Sequence, residues 1–92
     1  MAQAGITLTI MPESIEIDLP SLEKRVRDVI LDIYGEVGEI RVTQEPIAFG
    51  LHALKVIFVI DEKFGTDPIE EALREVDGVA SVKVIDFRRA IG

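Results

Sequence analysis

"EIRVTQEPIAFGLHALKVIFVI" (residues 39–60) holds two strand-like runs around a proline, an aromatic and a glycine. Glu39 to Gln44 alternates, with Ile40 and Val42 on one side and Arg41 and Thr43 on the other, the pattern of a half-buried strand. Glu45-Pro46 interrupts it. Leu51 to Ile60 is the most apolar stretch of the chain. Its Leu54, Val56, Phe58 and Ile60 share one face, and Ala53, Lys55, Ile57 and Val59 share the other. Two largely apolar faces argue for a central strand. Phe49 stands at the reversal between the two runs, where polar residues are the rule. Two readings stand there: Phe49 plugs the end of the core, or it is displayed for a partner.

Working outward, Ile6-Thr7-Leu8-Thr9-Ile10 alternates as a first strand that Pro12 ends. Asp18 can cap a helix from Leu19, with Pro20 in the tolerant first turn. Leu22, Val26, Val29, Ile30 and Ile33 form one apolar stripe of that helix, Glu23 and Arg27 pair on its wet face, and Gly35 and Gly38 mark its exit. Beyond the central run, Asp61-Glu62-Lys63-Phe64-Gly65 is a polar connection. Asp67 at a cap, Pro68 next and Glu70 third predict a second helix, with Ile69, Ala72, Leu73 and Val76 buried and Gly78 ending it. Val79 to Arg89 is the last strand. Strict alternation puts Val82 and Val84 on one face and Ser81, Lys83, Ile85, Phe87 and Arg89 on the other.

The order β-α-β-β-α-β, with right-handed crossovers, predicts a ferredoxin-like α+β sandwich: a four-stranded antiparallel sheet with two helices on one face. Parity puts Ile6, Leu8, Ile10, Val42, Val56, Phe58, Val82 and Val84 towards the helices. Each such burial contributes roughly 1.5–3 kcal/mol.

The 92 residues suffice for one domain, 1–92, with one core. Zero cysteines remove disulfides, thiolate metal sites and thiol nucleophiles, and fit a cytoplasmic setting. No secretory signal or membrane-length apolar run is visible. A formal charge of −7 is the wrong sign for gripping phosphates, so no direct nucleic-acid partner is expected; Arg88-Arg89 is the one small basic cluster. The absence of Asn and Trp, beside many charged residues, points towards a thermophile. His52 is the one histidine, with no second ligand at metal spacing, and reads as a half-buried strand-end residue. No constellation of acid, base and nucleophile and no phosphate-cradling loop is present, so neither an enzyme nor a cofactor is expected.

Three stretches resemble a family. "PIAFGLHALKVIFVIDEKFGTD" (46–67) is similar to the segment of translation elongation factor 1-beta that runs proline–aliphatic–small–aromatic–glycine, apolar strand, acidic–lysine–x–Gly–Thr–Asp. "MPES" (11–14) resembles the archaeal branch, and "VASVKVIDFRRAIG" (79–92) resembles the family's C-terminal strand with its aromatic–x–basic finish. The match spans nearly the whole chain and looks like the stand-alone archaeal form. The resemblance implies guanine nucleotide exchange on the GTPase elongation factor 1-alpha during protein synthesis, with no covalent chemistry. It places the family's inserting aromatic on Phe49, followed by Gly50, and the family's C-terminal basic residue on Arg89, two after Phe87. It also implies that Phe49 lies close to Phe87 and Arg89. Where eukaryotic members carry a lysine that intrudes on the magnesium site, this chain has arginine, a bulkier bidentate donor. Arg88 is an alternative for that role, and Lys63 a further partner contact. The plain readings are packing for Phe87, a frayed pair for Arg88-Arg89 and loop structure for Lys63. A monomer is expected. The other functional reading is a small-ligand-sensing or oligomerisation domain of the same fold without a GTPase partner.

Overall fold

The computed structural model describes residues 3–35, 37–61 and 63–90, with the side chains of Arg89 and Ala90 outside the described set; Glu62 of the acidic loop also lies outside it. The elements run β1 (Gln3–Pro12), α1 (Leu19–Tyr34), β2 (Arg41–Pro46), β3 (His52–Asp61), α2 (Asp67–Arg74) and β4 (Val79–Ala90). All strand pairings are antiparallel, in the order β2-β3-β1-β4, so the expected ferredoxin-like α+β sandwich is observed. β3 and β1 are the central strands, as the two apolar faces of β3 require.

The core lies between the sheet and the helices. Ile6, Leu8 and Ile10 of β1 meet Leu54, Val56, Phe58 and Ile60 of β3, covered by Leu22, Val26 and Ile30 of α1 and Ile69 and Leu73 of α2. Val29 and Ile33 flank the α1 stripe, half-buried. The Asp18 carboxylate accepts from Ser21 N–H at 3.2 Å, completing the expected cap. Arg27 does more than pair with Glu23 at 3.1 Å: its Nη1 also donates to Ile40 O at 2.9 Å, tying α1 to the approach to β2. Arg25 similarly donates from Nη1 to Asp77 O at 2.8 Å, holding the turn before β4.

Three local expectations change. Pro46 does not interrupt the second strand but ends it, paired with His52. β2 is an edge strand, where a missing N–H costs no ladder bond. α2 begins at Asp67 itself, after Thr66, which makes no side-chain cap bond, and it ends at Arg74, short of Val76 and Gly78; Asp67 and Glu70 place negative charge in the first turn, where the helix dipole favours it. The third change is in β4. Thr7 pairs with Asp86 and Leu8 with Val84, so Ile85 is an extra residue, a β-bulge. Past the bulge the alternation is reset. Phe87 pairs with Ile6 and therefore shares the helix-side face with Val82 and Val84, not the opposite one.

Candidate functional site

The β2–β3 hairpin is closed by Ile47 N–H donating to Leu51 O at 2.8 Å and Leu51 N–H donating to Ala48 O at 3.1 Å. The two residues inside the Ala48–Leu51 bond are Phe49, at φ 59°, and Gly50, at φ 79°. Two positive φ values in succession are the signature of a type I′ hairpin turn, which matches the twist of the flanking strands. Glycine takes that conformation freely. A side chain there costs roughly 1–2 kcal/mol. Phe49 is the one non-glycine residue with positive φ among the described residues. Its side chain is 94% exposed, so it does not plug the core. Ile47, beside it, is also exposed. His52 begins β3 half-buried, and no group of three metal-ligating side chains occurs among the described residues.

The other candidates lie at the opposite end of the sheet. Phe58 of β3 pairs with Ile6, which pairs with Phe87, so these three residues form one row across the sheet. From that row to His52 is six residues of β3, about 20 Å of strand, and the hairpin tip lies beyond. The expected closeness of Phe49 to Phe87 and Arg89 is thus not observed. The strand directions of the fold dictate this: the β2–β3 hairpin and the end of β4 necessarily leave the sheet at opposite ends.

At this second end, Phe87 is half-exposed and lies outside the core cluster. Arg88 sits opposite Gly5 on the open face, its Nε 3.0 Å from Asp86 Oδ2 and its side chain largely in water. The backbone of Arg89 lies opposite Ala4; its side chain is outside the described set. Lys63 belongs to the same end, because Asp61 and Ala90 both pair with Gln3 from either side. Its N–H donates to Asp61 Oδ1 at 3.1 Å, and its Nζ lies 5.3 Å from the Phe64 ring centroid. Phe64 in turn packs on Tyr34, and Tyr34 on Phe58, with centroids 5.7 and 5.8 Å apart.

Tyr34 is the residue the sequence did not single out. Its hydroxyl donates to Gly65 O at 2.8 Å and so fixes the loop that carries Lys63. Burial, aided by the Glu70 carboxylate, pushes its pKa up to about 12 and keeps it a neutral donor. The only advance signal was its place one turn past Ile30 on the helix stripe.

The sites therefore form two clusters, one at each end of the sheet. The chain is 43% identical over 93 residues to elongation factor 1-beta of Methanosarcina acetivorans, covering 97% of this chain and 99% of that protein. It is 42% identical over 93 residues to elongation factor 1-beta of Methanosarcina barkeri, with the same coverage. With the corresponding protein of Methanothermobacter thermautotrophicus the figures are 40% over 91 residues, covering 97% and 98%. The family model described as the EF-1 guanine nucleotide exchange domain matches residues 5–90, which takes in all six elements and both end clusters apart from two residues of β1. The chain belongs to the EF-1 guanine nucleotide exchange domain family and is a nucleotide exchange factor, not an enzyme.

Proposed function

We propose that residues 1–92 act as one exchange unit that grips elongation factor 1-alpha at two separated places. The hairpin tip, Phe49 and Gly50, makes one contact; Phe87, Arg88, Arg89 and Lys63 make the other. The observation that carries this reading is Phe49, held in water in a conformation that disfavours any side chain. Backbone strain with no local benefit is expected where the benefit lies in a complex.

Exchange needs no chemistry, only differential affinity. The unit must hold the nucleotide-free GTPase more tightly than the GDP-bound one. Linkage then lowers GDP affinity by the same factor. A basic group from the second end can do this by competing with magnesium for the carboxylates that hold the ion, which leaves the phosphates less well neutralised. Arginine does so as a planar, bidentate donor. The formal charge of −7 favours approach to a basic partner surface. The unit works as a monomer in the cytoplasm, where the translation machinery is.

Release of fluorescent GDP from archaeal elongation factor 1-alpha tests the proposal. Substoichiometric protein should accelerate release. Phe49→Ala and Arg89→Ala should each slow it by at least about tenfold, the effect of losing an interface hot spot. A wild-type protein that leaves the release rate unchanged refutes the proposal.

A further inference from the structure

Phe49 does not stand alone at its end of the sheet. Beside the hairpin runs the β1–α1 connection, residues 13–18, and its Ile15 is 66% exposed. A Cβ placed on Gly50 would lie 3.8 Å from Ile15 Cγ2, so the two turn tips lie side by side. The connection is anchored on both sides of Ile15. Pro12 before it is buried, and Glu13 N–H donates to Gly78 O at 2.9 Å. Ile17 after it packs against the core, close enough that a Cβ on Gly78 would lie 3.3 Å from its Cδ1. Between these anchors Ser14 closes a tight turn: its hydroxyl accepts from Glu16 N–H at 3.2 Å and its carbonyl from Ile17 N–H at 3.4 Å. The turn points one isoleucine inward and leaves the other outside.

Ile15, Ile47 and Phe49 are thus three exposed apolar side chains on two adjoining turns. Exposed Glu13 and Glu16 flank the first turn and exposed Glu45 the second. An apolar centre within a charged rim is the anatomy of a protein–protein contact. Here Glu45 is paired with Lys55 at 3.5 Å, and Glu13 and Glu16 supply the acidic side of the rim.

We infer that Ile15 is a second prong of the hairpin-end contact, entering with Phe49 an apolar cleft of the GTPase that is rimmed by lysine or arginine. The inference rests on the GTPase-docking reading above and adds a residue and a partner chemistry to it. Glu13 and Glu16 select the occupant: a second copy of this chain would set these carboxylates against each other, whereas a basic-rimmed cleft neutralises them.

The test measures binding to nucleotide-free archaeal elongation factor 1-alpha, GDP release and thermal stability for Ile15→Ala, Ile15→Asp, Phe49→Ala and, as a control, Leu31→Ala on an exposed part of α1. Ile15→Ala should weaken binding roughly tenfold, and Ile15→Asp more, with melting temperatures unchanged. Because one cleft takes both prongs, the Ile15→Ala/Phe49→Ala double variant should lose less than the product of the single losses. Glu13→Gln combined with Glu16→Gln should slow association at low salt and have no effect at high salt. If Phe49→Ala is impaired while Ile15→Asp binds as wild type does, the inference fails and the docking reading stands. If the wild type itself neither binds nor accelerates release, both fail. A wild-type dimer that Ile15→Asp dissociates also overturns the inference, in favour of self-association.

Discussion

Phe49 and Phe58 show how one residue type serves opposite ends. Phe58 is 1% exposed, in contact with Tyr34 at the centre of the core. Phe49 is almost wholly in water. Phe58→Ala should therefore cost about 3–5 kcal/mol in chemical denaturation. Phe49→Gly should instead stabilise the domain by about 1 kcal/mol, by relieving the positive φ, while GDP release slows. Loss of stability in Phe49→Gly would mean that the ring packs somewhere after all. The sequence could flag Phe49 as out of place but left two readings open, because exposure depends on how far the hairpin projects beyond the helices. Tyr34 offers a pH test. Its pKa is about 12 in the fold, through burial and the Glu70 carboxylate, against about 10 when unfolded. A raised folded value means that its contribution is complete below pH 10 and is lost as pH climbs from 10 through 12. Tyr34→Phe should lower stability by about 0.5–1.5 kcal/mol near pH 8, since the hydrogen bond to Gly65 is gone. In melting curves taken across the alkaline range, the gap to wild type should close towards pH 12.

Elements were legible where hydrophobic period alone decides them. The α1 stripe, the two-faced β3 and the alternation of β1 all lie where the pattern puts them, because burial on one face repeats every 3.6 or 2 residues whatever the surroundings. β4 defeated the same method. A bulge adds a residue without any compositional mark, since Ile85 is as good a strand former as its neighbours. Every residue after it then changes sides. Pro46 misled for a related reason: whether a proline breaks a strand depends on which edge is paired, and that is a property of the sheet, not of the segment. The bulge yields an unusual deletion prediction. Removing Ile85 leaves Val84 opposite Leu8 and Asp86 opposite Thr7 with no gap, so Phe87 stays opposite Ile6. The deletion variant should fold, keep an Ile6–Phe87 contact visible by NMR and retain exchange activity. Were the strand unbulged, the same deletion would turn Phe87 and Arg89 to the other face and abolish exchange.

At the scale of the molecule, the fold sets how the two clusters can cooperate. Its longest dimension is 42 Å, and the clusters occupy opposite ends of the sheet. Among the described residues they share no side chain, hydrogen bond or loop, and the core between them is apolar. A rigid spacer of this kind transmits position, not conformational change: seating one end on the GTPase determines where the other end falls. Two consequences separate this from a single composite site. Each end should contribute its own binding free energy, and the contributions should add. The family resemblance had suggested a single site containing Phe49, Phe87 and Arg89, in which losses would overlap. A double-mutant cycle on affinity for nucleotide-free elongation factor 1-alpha decides between them. Phe49→Ala and Arg89→Ala act at sites far more than 10 Å apart, so their coupling energy should stay within about 0.5 kcal/mol. The Ile15–Phe49 cycle, within one end, should exceed that value in the same assay. Strong coupling between Phe49 and Arg89 would show that the GTPase rearranges as a unit when either end docks, and the picture of a passive spacer would have to be given up.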